Sequence, residues 1–199
     1  MTPKELSDKI FKHHKATLLT GSADLFSIIW KNPESGDYYI KYIVDTMTGT
    51  LIIQGDCGFA IATWQATKGP HAISNLVSDI PYFASKLKCS TDKYRYDEKD
   101  IHSDLEEAFA EIKKELSQEK QEEFRSDFSQ ICEMITLCQE NGIKFPKELC
   151  ELLHKYKKYW FEDSLIVHAG RRLSDRIYLW AHGFRMAMEQ IEKLQKANQ

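Results

Sequence analysis

Apolar positions recur along this chain with two different periods, and the change from one to the other organises it. After Thr2-Pro3-Lys4-Glu5, an N-cap threonine with proline at the first helical position and glutamate three residues on, Leu6, Ile10 and Phe11 share one face at helical spacing. The pattern predicts a helix to about Ala16 with Lys4, Asp8, Lys12 and Lys15 in solvent. Thr20-Gly21-Ser22 breaks it, and the β-branched and aromatic run Leu25–Trp30 reads as a strand. Turn residues at Asn32–Asp37 lead to a second strand, Tyr38–Asp45, whose loose alternation predicts two half-covered faces. Thr50–Gln54 and Phe59–Trp64 follow as strands three and four around the turn Gly55-Asp56-Cys57-Gly58, and such short connections imply an antiparallel meander.

After Gln65 the period becomes helical. Ile73, Leu76, Val77, Ile80, Phe83 and Leu87 predict two helical pieces separated at Pro81, the second reaching Lys88, with Cys89–Tyr96 as a polar connector. Ile101, Leu105, Ala108, Phe109, Ile112 and Leu116 form one amphipathic face. Phe124, Phe128, Ile131, Ile135 and Leu137 form another, which stops at Asn141-Gly142. Pro146 opens a helix through Leu149, Leu152, Leu153, Tyr156 and Trp160; Leu165-Ile166-Val167 reads as a strand fragment or a turn. A last helix runs from about Leu173 to Lys196 with Ile177, Trp180, Phe184, Met188, Ile191 and Leu194 on its buried stripe. The expected class is α+β: an N-terminal helix, a four-stranded antiparallel meander, and a helical C-terminal half packed on or beside it, with a sheet domain over 1–95 and a helical region over 96–199.

Composition alters this picture little. The 199 residues are 42% hydrophobic and 12% aromatic, enough for a packed core, and the formal charge of −3 supplies no general drive toward nucleic acid or an anionic membrane. No run approaches the roughly 20 apolar residues of a membrane span and the first residues lack an apolar targeting core, so a cytoplasmic protein without membrane attachment is expected. Five cysteines in no C-x-x-C pairing argue against a disulfide framework or a structural metal, and Cys132, Cys138 and Cys150 fall at helical apolar positions that predict buried thiols.

Local charge is more informative. Asp97–Arg125 carries eleven acidic and five basic residues. It reads either as a solvated helix face or as a surface that imitates nucleic-acid charge or docks on a basic partner, with Glu106, Glu107, Glu111 and Glu115 as contacts. The opposite sign gathers at Lys144, Lys147, Lys155, Lys157 and Lys158 and then at Arg171, Arg172, Arg176 and Arg185, interleaved with Tyr156, Tyr159, Trp160, Tyr178 and Trp180. Arginine forks and aromatic faces suit phosphates and bases, so Arg171, Arg172, Arg176, Tyr178 and Trp180 are the candidates for binding a small nucleotide. Core packing accounts for the same aromatics. His13-His14 point about 100° apart and read as solvated, while His168 and His182 read as packing or capping residues. Gly55–Gly58 joins two strands, whereas phosphate loops feed a helix, so it reads as a hairpin turn, and nothing beside Cys57 marks it as a nucleophile. No nucleotide-loop, hydrolase, zincin or kinase signature occurs, no cofactor is implied, and no catalytic or metal residues are assigned.

Leu51-Ile52-Ile53-Gln54-Gly55-Asp56-Cys57-Gly58-Phe59-Ala60-Ile61-Ala62-Thr63-Trp64, followed by Ile80-Pro81-Tyr82-Phe83-Ala84-Ser85-Lys86-Leu87, resembles a group of uncharacterised phage and prophage accessory proteins. These share an apolar strand, a G-D-x-G turn, an aromatic and a second strand, and then a Tyr-Phe-x-x-Lys helix. The resemblance spans Gly49–Lys88 and carries no active site. It implies an anti-defence inhibitor, of the anti-CRISPR kind, that binds a host defence protein or nucleoprotein complex. The alternative expectation is a sponge or processing enzyme for a small nucleotide signal.

Overall fold

In the computed structural model, which describes residues 1–19, 21–22, 24–65, 70–156 and 168–197, the capping box at the N-terminus forms. Glu5 N donates to Thr2 Oγ1 at 3.2 Å and Thr2 N donates to Glu5 Oε2 at 2.7 Å. Helix α1 is Pro3–Ile10, shorter than the helix to Ala16 that the spacing predicts. The chain turns extended because the Gln190 side chain engages its backbone: Oε1 accepts from Ala16 N at 3.1 Å and Nε2 donates to His14 O at 3.1 Å. Lys15–Leu19 is thereby freed to pair as strand β1.

The chain divides into two compact units, Met1–Lys93 with Leu173–Gln199, and Tyr94–Arg172. The first holds an antiparallel sheet of six strands in sequence order: β1, β2 (Leu25–Lys31), β3 (Ile40–Asp45), β4 (Thr50–Gly55), β5 (Gly58–Thr63) and β6 (Leu87–Ser90). Strands β2–β5 are the four the sequence predicts. The count of four is corrected to six by the two edge strands, which carry little alternation for a pattern search to find and owe their extended form to ladder partners on β2 and β5. Helices α2 (Pro70–Ser78), α3 (Ile80–Lys86) and the last helix, α7 (Asp175–Ala197), complete the unit, so helices are not confined to the C-terminal half. The final helix belongs with the sheet, in contrast to the sequence division at residue 95.

One sheet face carries the core. Ile28, Trp30, Ile40, Tyr42, Val44, Leu51 and Ile53 are all fully buried there, against Ile177, Trp180, Ala181, Phe184 and Ala187 of α7. β3 alternates fully buried and half-buried residues in strict parity, so one face is covered, not both in equal part. Two residues placed on buried stripes by spacing are corrected: Leu137 and Leu194 are each 57% exposed.

The second unit contains α4 (Glu98–Glu115), α5 (Gln118–Asn141) and α6 (Lys147–Lys155), with the short strands β7 (Tyr94–Arg95) and β8 (Arg172–Leu173) where the chain enters and leaves it. Gly142, at φ 61°, ends α5 as its left-handed cap, as read from Asn141-Gly142. The fragment Leu165–Val167 lies outside the described residues. No helix among the described residues is long and apolar enough to cross a membrane.

Candidate functional site

The acidic stretch becomes a helical pair around an aromatic core. Asp97 caps α4, its Oδ1 accepting from Lys99 N at 3.0 Å. Phe109 meets Phe124 and Phe128 edge-on at 5.3 and 4.9 Å, and Tyr156 meets Phe124 at 4.9 Å. With that stripe inward, Glu106 and Glu107 stand exposed, as do Glu98, Glu119, Glu122, Glu133 and Glu140. Between α4 and α5 lies an open groove of about 530 Å³ lined by Glu98, His102, Phe128, Ser129, Cys132, Glu133, Thr136, Leu137 and Glu140. Its floor is Phe128 and Cys132, each only 8% exposed. His102 stands edge-on to Phe128 at 5.7 Å, with Nδ1 3.7 Å from Glu106 Oε1. The rim is three carboxylates.

An apolar floor under an acidic rim matches the alkyl stem and cationic head of lysine or arginine. It does not match nucleophilic chemistry. Burial, and next the charge of Glu106, push the Cys132 thiol up to about 11, so it stays protonated near neutrality. Among the described residues no group of three His, Cys, Asp or Glu side chains is placed to hold a metal ion.

Other carboxylates of the same unit are consumed internally. Asp104 accepts from Arg172 at 2.8 and 2.7 Å through both terminal nitrogens and from Gly170 N at 2.8 Å, and Asp100 lies 3.6 Å from Arg172. The Arg172 fork holds the Asp104 carboxyl below its usual range despite partial burial. Lys155 bridges Glu123 and Asp127, each at 2.6 Å, and Tyr156 Oη donates to Asp127 at 2.6 Å. Burial and that bond push the Tyr156 phenol up to about 12.

Of the acidic contacts predicted from sequence, Glu106 and Glu107 are open, while the side chains of Glu111 and Glu115, also on α4, lie outside the described set. The sequence reading missed Glu98, His102, Glu133 and Glu140. Their signal was the spacing of four in Glu98, His102 and Glu106, answered by Ser129, Glu133, Leu137 and Glu140 on the next helix.

The predicted arginine and aromatic set is divided between the units. Arg171 lies over the Tyr94 ring at 3.6 Å and donates to His168 Nδ1 at 3.0 Å, and Arg172 is the partner of Asp104. In the other unit Arg176 pairs with Asp92 at 2.5 Å, Tyr178 meets His182 edge-on at 6.5 Å, and Trp180 is fully buried. Each of these arginines thus has a partner within the chain, and the Trp180 ring has no face open to a base. Residues 157–160 lie outside the described chain.

The remaining candidates have local duties. In the Gly55–Gly58 turn Asp56 N donates to Tyr39 O at 2.9 Å and Asp56 Oδ2 accepts from Tyr39 N at 2.8 Å, which ties the hairpin to the strand beside it. Gly55, at φ 148°, sits so close to the Tyr39 carbonyl that a Cβ would run into it. Cys57 is 6% exposed, and burial pushes its thiol up to about 11. His14 corrects the solvated reading: it is 3% exposed, with Nε2 3.3 Å from Tyr38 O. His182 Nδ1 lies 3.1 Å from Oγ of the fully buried Ser7, which itself donates to Pro3 O at 2.9 Å. With its serine fully buried, the pair offers no accessible nucleophile. Cys150, expected to be buried, is exposed, whereas Cys132 and Cys138 are buried. Comparison with protein-family models, with curated proteins and with solved structures returns no match, so the functional reading stands on this geometry.

Proposed function

We propose that the protein acts by binding, and that the α4–α5 groove receives a basic, amphipathic segment of a partner protein. The observation that carries this reading is the groove itself, in which Phe128 and Cys132 form an apolar floor and Glu98, Glu133 and Glu140 a rim of like charge, with Glu106 beside it. A lysine or arginine lays its methylenes on such a floor and its charge against the rim. Clustered carboxylates also steer a basic partner at a rate that falls with salt. A nucleic-acid-handling protein presents basic segments of this kind, which agrees with the anti-defence inhibitor that the hairpin resemblance implies. A small nucleotide is the weaker reading, because Arg172 and Arg176 would have to give up Asp104 and Asp92 to bind it.

The test is titration of a fluorescent Lys/Arg-rich amphipathic peptide at two salt concentrations. The wild type binds it, and binding weakens tenfold or more in E98K/E133K/E140K and in E106K/E107K while helical content is retained, since exposed charges contribute little to stability. Arg171→Ala and Arg176→Ala leave it unchanged. Peptide binding indifferent to the glutamate reversals, or nucleotide binding lost with Arg171 and Arg176, rejects the reading.

A further inference from the structure

The face of the β1–β6 sheet opposite the core carries an ordered row of side chains from edge to edge. The register sets Leu19 beside Ser27, Ser27 beside Ile43, Ile43 beside Ile52, Ile52 beside Ile61, and Ile61 beside Cys89. Directly opposed residues share a face. None of the six is buried, although four are large and apolar. Thr17, Ile29, Lys41, Gln54 and Phe59 flank the row on one side, and Leu25, Asp45, Thr50 and Thr63 flank it on the other. Leu25 and Phe59 are 52% and 49% exposed.

The two flanking rows complement each other. A half-turn about the central row exchanges them, which sets Lys41 against the other copy's Asp45, Ile29 against Leu25, Gln54 against Thr50 and Phe59 against Thr63. Lys41 is half-buried and has no ion-pair partner among the described residues. Asp45 is held on this face by its own turn, its Oδ1 accepting from Met47 N at 2.9 Å and Thr48 N at 3.1 Å. The same operation carries Ile29 toward a shallow depression of about 450 Å³ lined by Gly21, Ser22, Leu25, Phe26, Ser27 and Ile43.

We propose that this face is the interface of a two-fold dimer of the chain, two sheets stacked with their β3 strands antiparallel. Six strands about 4.8 Å apart and about 20 Å long present roughly 600 Å² per copy. Two copies then bury about 1,200 Å², at the lower edge of specific interfaces, which points to micromolar association. The dimer itself does not depend on the proposed function.

Cys89 provides the test. It ends the central row, so it lies close to the two-fold and faces the other copy's Cys89 across the spacing of about 10 Å between stacked sheets. Only Cys89 and Cys150 are exposed among the five free cysteines, so Cys150→Ser leaves one accessible thiol. Light scattering and a bismaleimide of about that span, applied to the full chain from 1 to 100 µM (roughly the range around such an affinity), should show a dimer that grows with concentration and cross-links through Cys89. Ile52→Glu and Lys41→Asp should each weaken it at least tenfold while circular dichroism and denaturation midpoint hold, and K41D/D45K should dimerise more tightly than K41D or D45K alone. A chain monomeric at every concentration, as expected if a different partner covers the face, overturns the proposal. So does a dimer indifferent to both single substitutions, or one that yields no Cys89 cross-link.

Discussion

Gly183 of α7 faces the Tyr42 hydroxyl of β3 and the Phe11 ring, and replacing it by alanine tests how closely the helix packs there. A Cβ at this position would lie 2.6 Å from Tyr42 Oη and 3.2 and 3.3 Å from Cε2 and Cζ of Phe11. Tyr42 is fully buried, donates to Trp180 O at 3.0 Å and meets Phe184 edge-on at 5.2 Å, so its ring has little room to retreat. In an exposed helix interior the same substitution stabilises by about 1 kcal/mol. Here the hydroxyl must be displaced from its acceptor, which costs about 1–3 kcal/mol, and overpacking adds about 1–3 kcal/mol. The net expectation for G183A is a loss of about 1–5 kcal/mol after the helix gain is subtracted, with a midpoint of about 3 kcal/mol. Tyr42→Phe alone loses about 1 kcal/mol for the hydrogen bond. In that background the oxygen is gone and the methyl occupies its place, so G183A should cost little or even stabilise. Urea denaturation followed by the fluorescence of the buried Trp30 and Trp180 reads all four corners of the cycle, with a coupling of about 2 kcal/mol expected. A neutral G183A, or one equally costly in both backgrounds, refutes the argument.

Two further predictions concern pH. Burial, foremost, holds the His14 and His182 imidazoles below their ordinary 6.5, so the folded chain keeps both neutral where the unfolded chain takes up protons. Stability should therefore fall as pH drops below about 6.5, and His14→Gln should flatten that slope in urea denaturation; stability that rises on acidification contradicts the assignment. In the second unit Asp104 is depressed, first by its bonds from Arg172, so its contribution is present above the ordinary carboxylate range and lost below about pH 4. Asp104→Asn should cost about 1.5–3 kcal/mol at neutral pH, read from the helical circular dichroism transition, and should remove part of the acid sensitivity; an unchanged midpoint sinks it.

Wherever the determinant is local, the sequence by itself determined the outcome. Thr2 and Glu5 close their capping box within one turn, Gly142 ends α5 in the left-handed conformation, and the β-branched and aromatic runs between turn residues mark strands β2 to β5, although their one-sided burial does not show in the loose alternation of Tyr38–Asp45. The stripe Ile177, Trp180, Phe184, Met188 and Ile191 is legible because a helix repeats its inward face every three to four residues. The tertiary structure decided whatever depends on residues distant in sequence. Lys15–Leu19 has the charge and apolar spacing to extend α1, and it is a strand because β2 and the Gln190 amide, 174 residues away from Ala16, take its backbone hydrogen bonds. Arg172 looks from sequence like a free phosphate ligand and is occupied because Asp104, 68 residues earlier, reaches it across the fold. The rim of the α4–α5 groove follows the same logic: the spacing of four places Glu98 and Glu133 each on a face of its own helix, and only the docking of α4 on α5 through Phe109, Phe124 and Phe128 gives their charges a common edge.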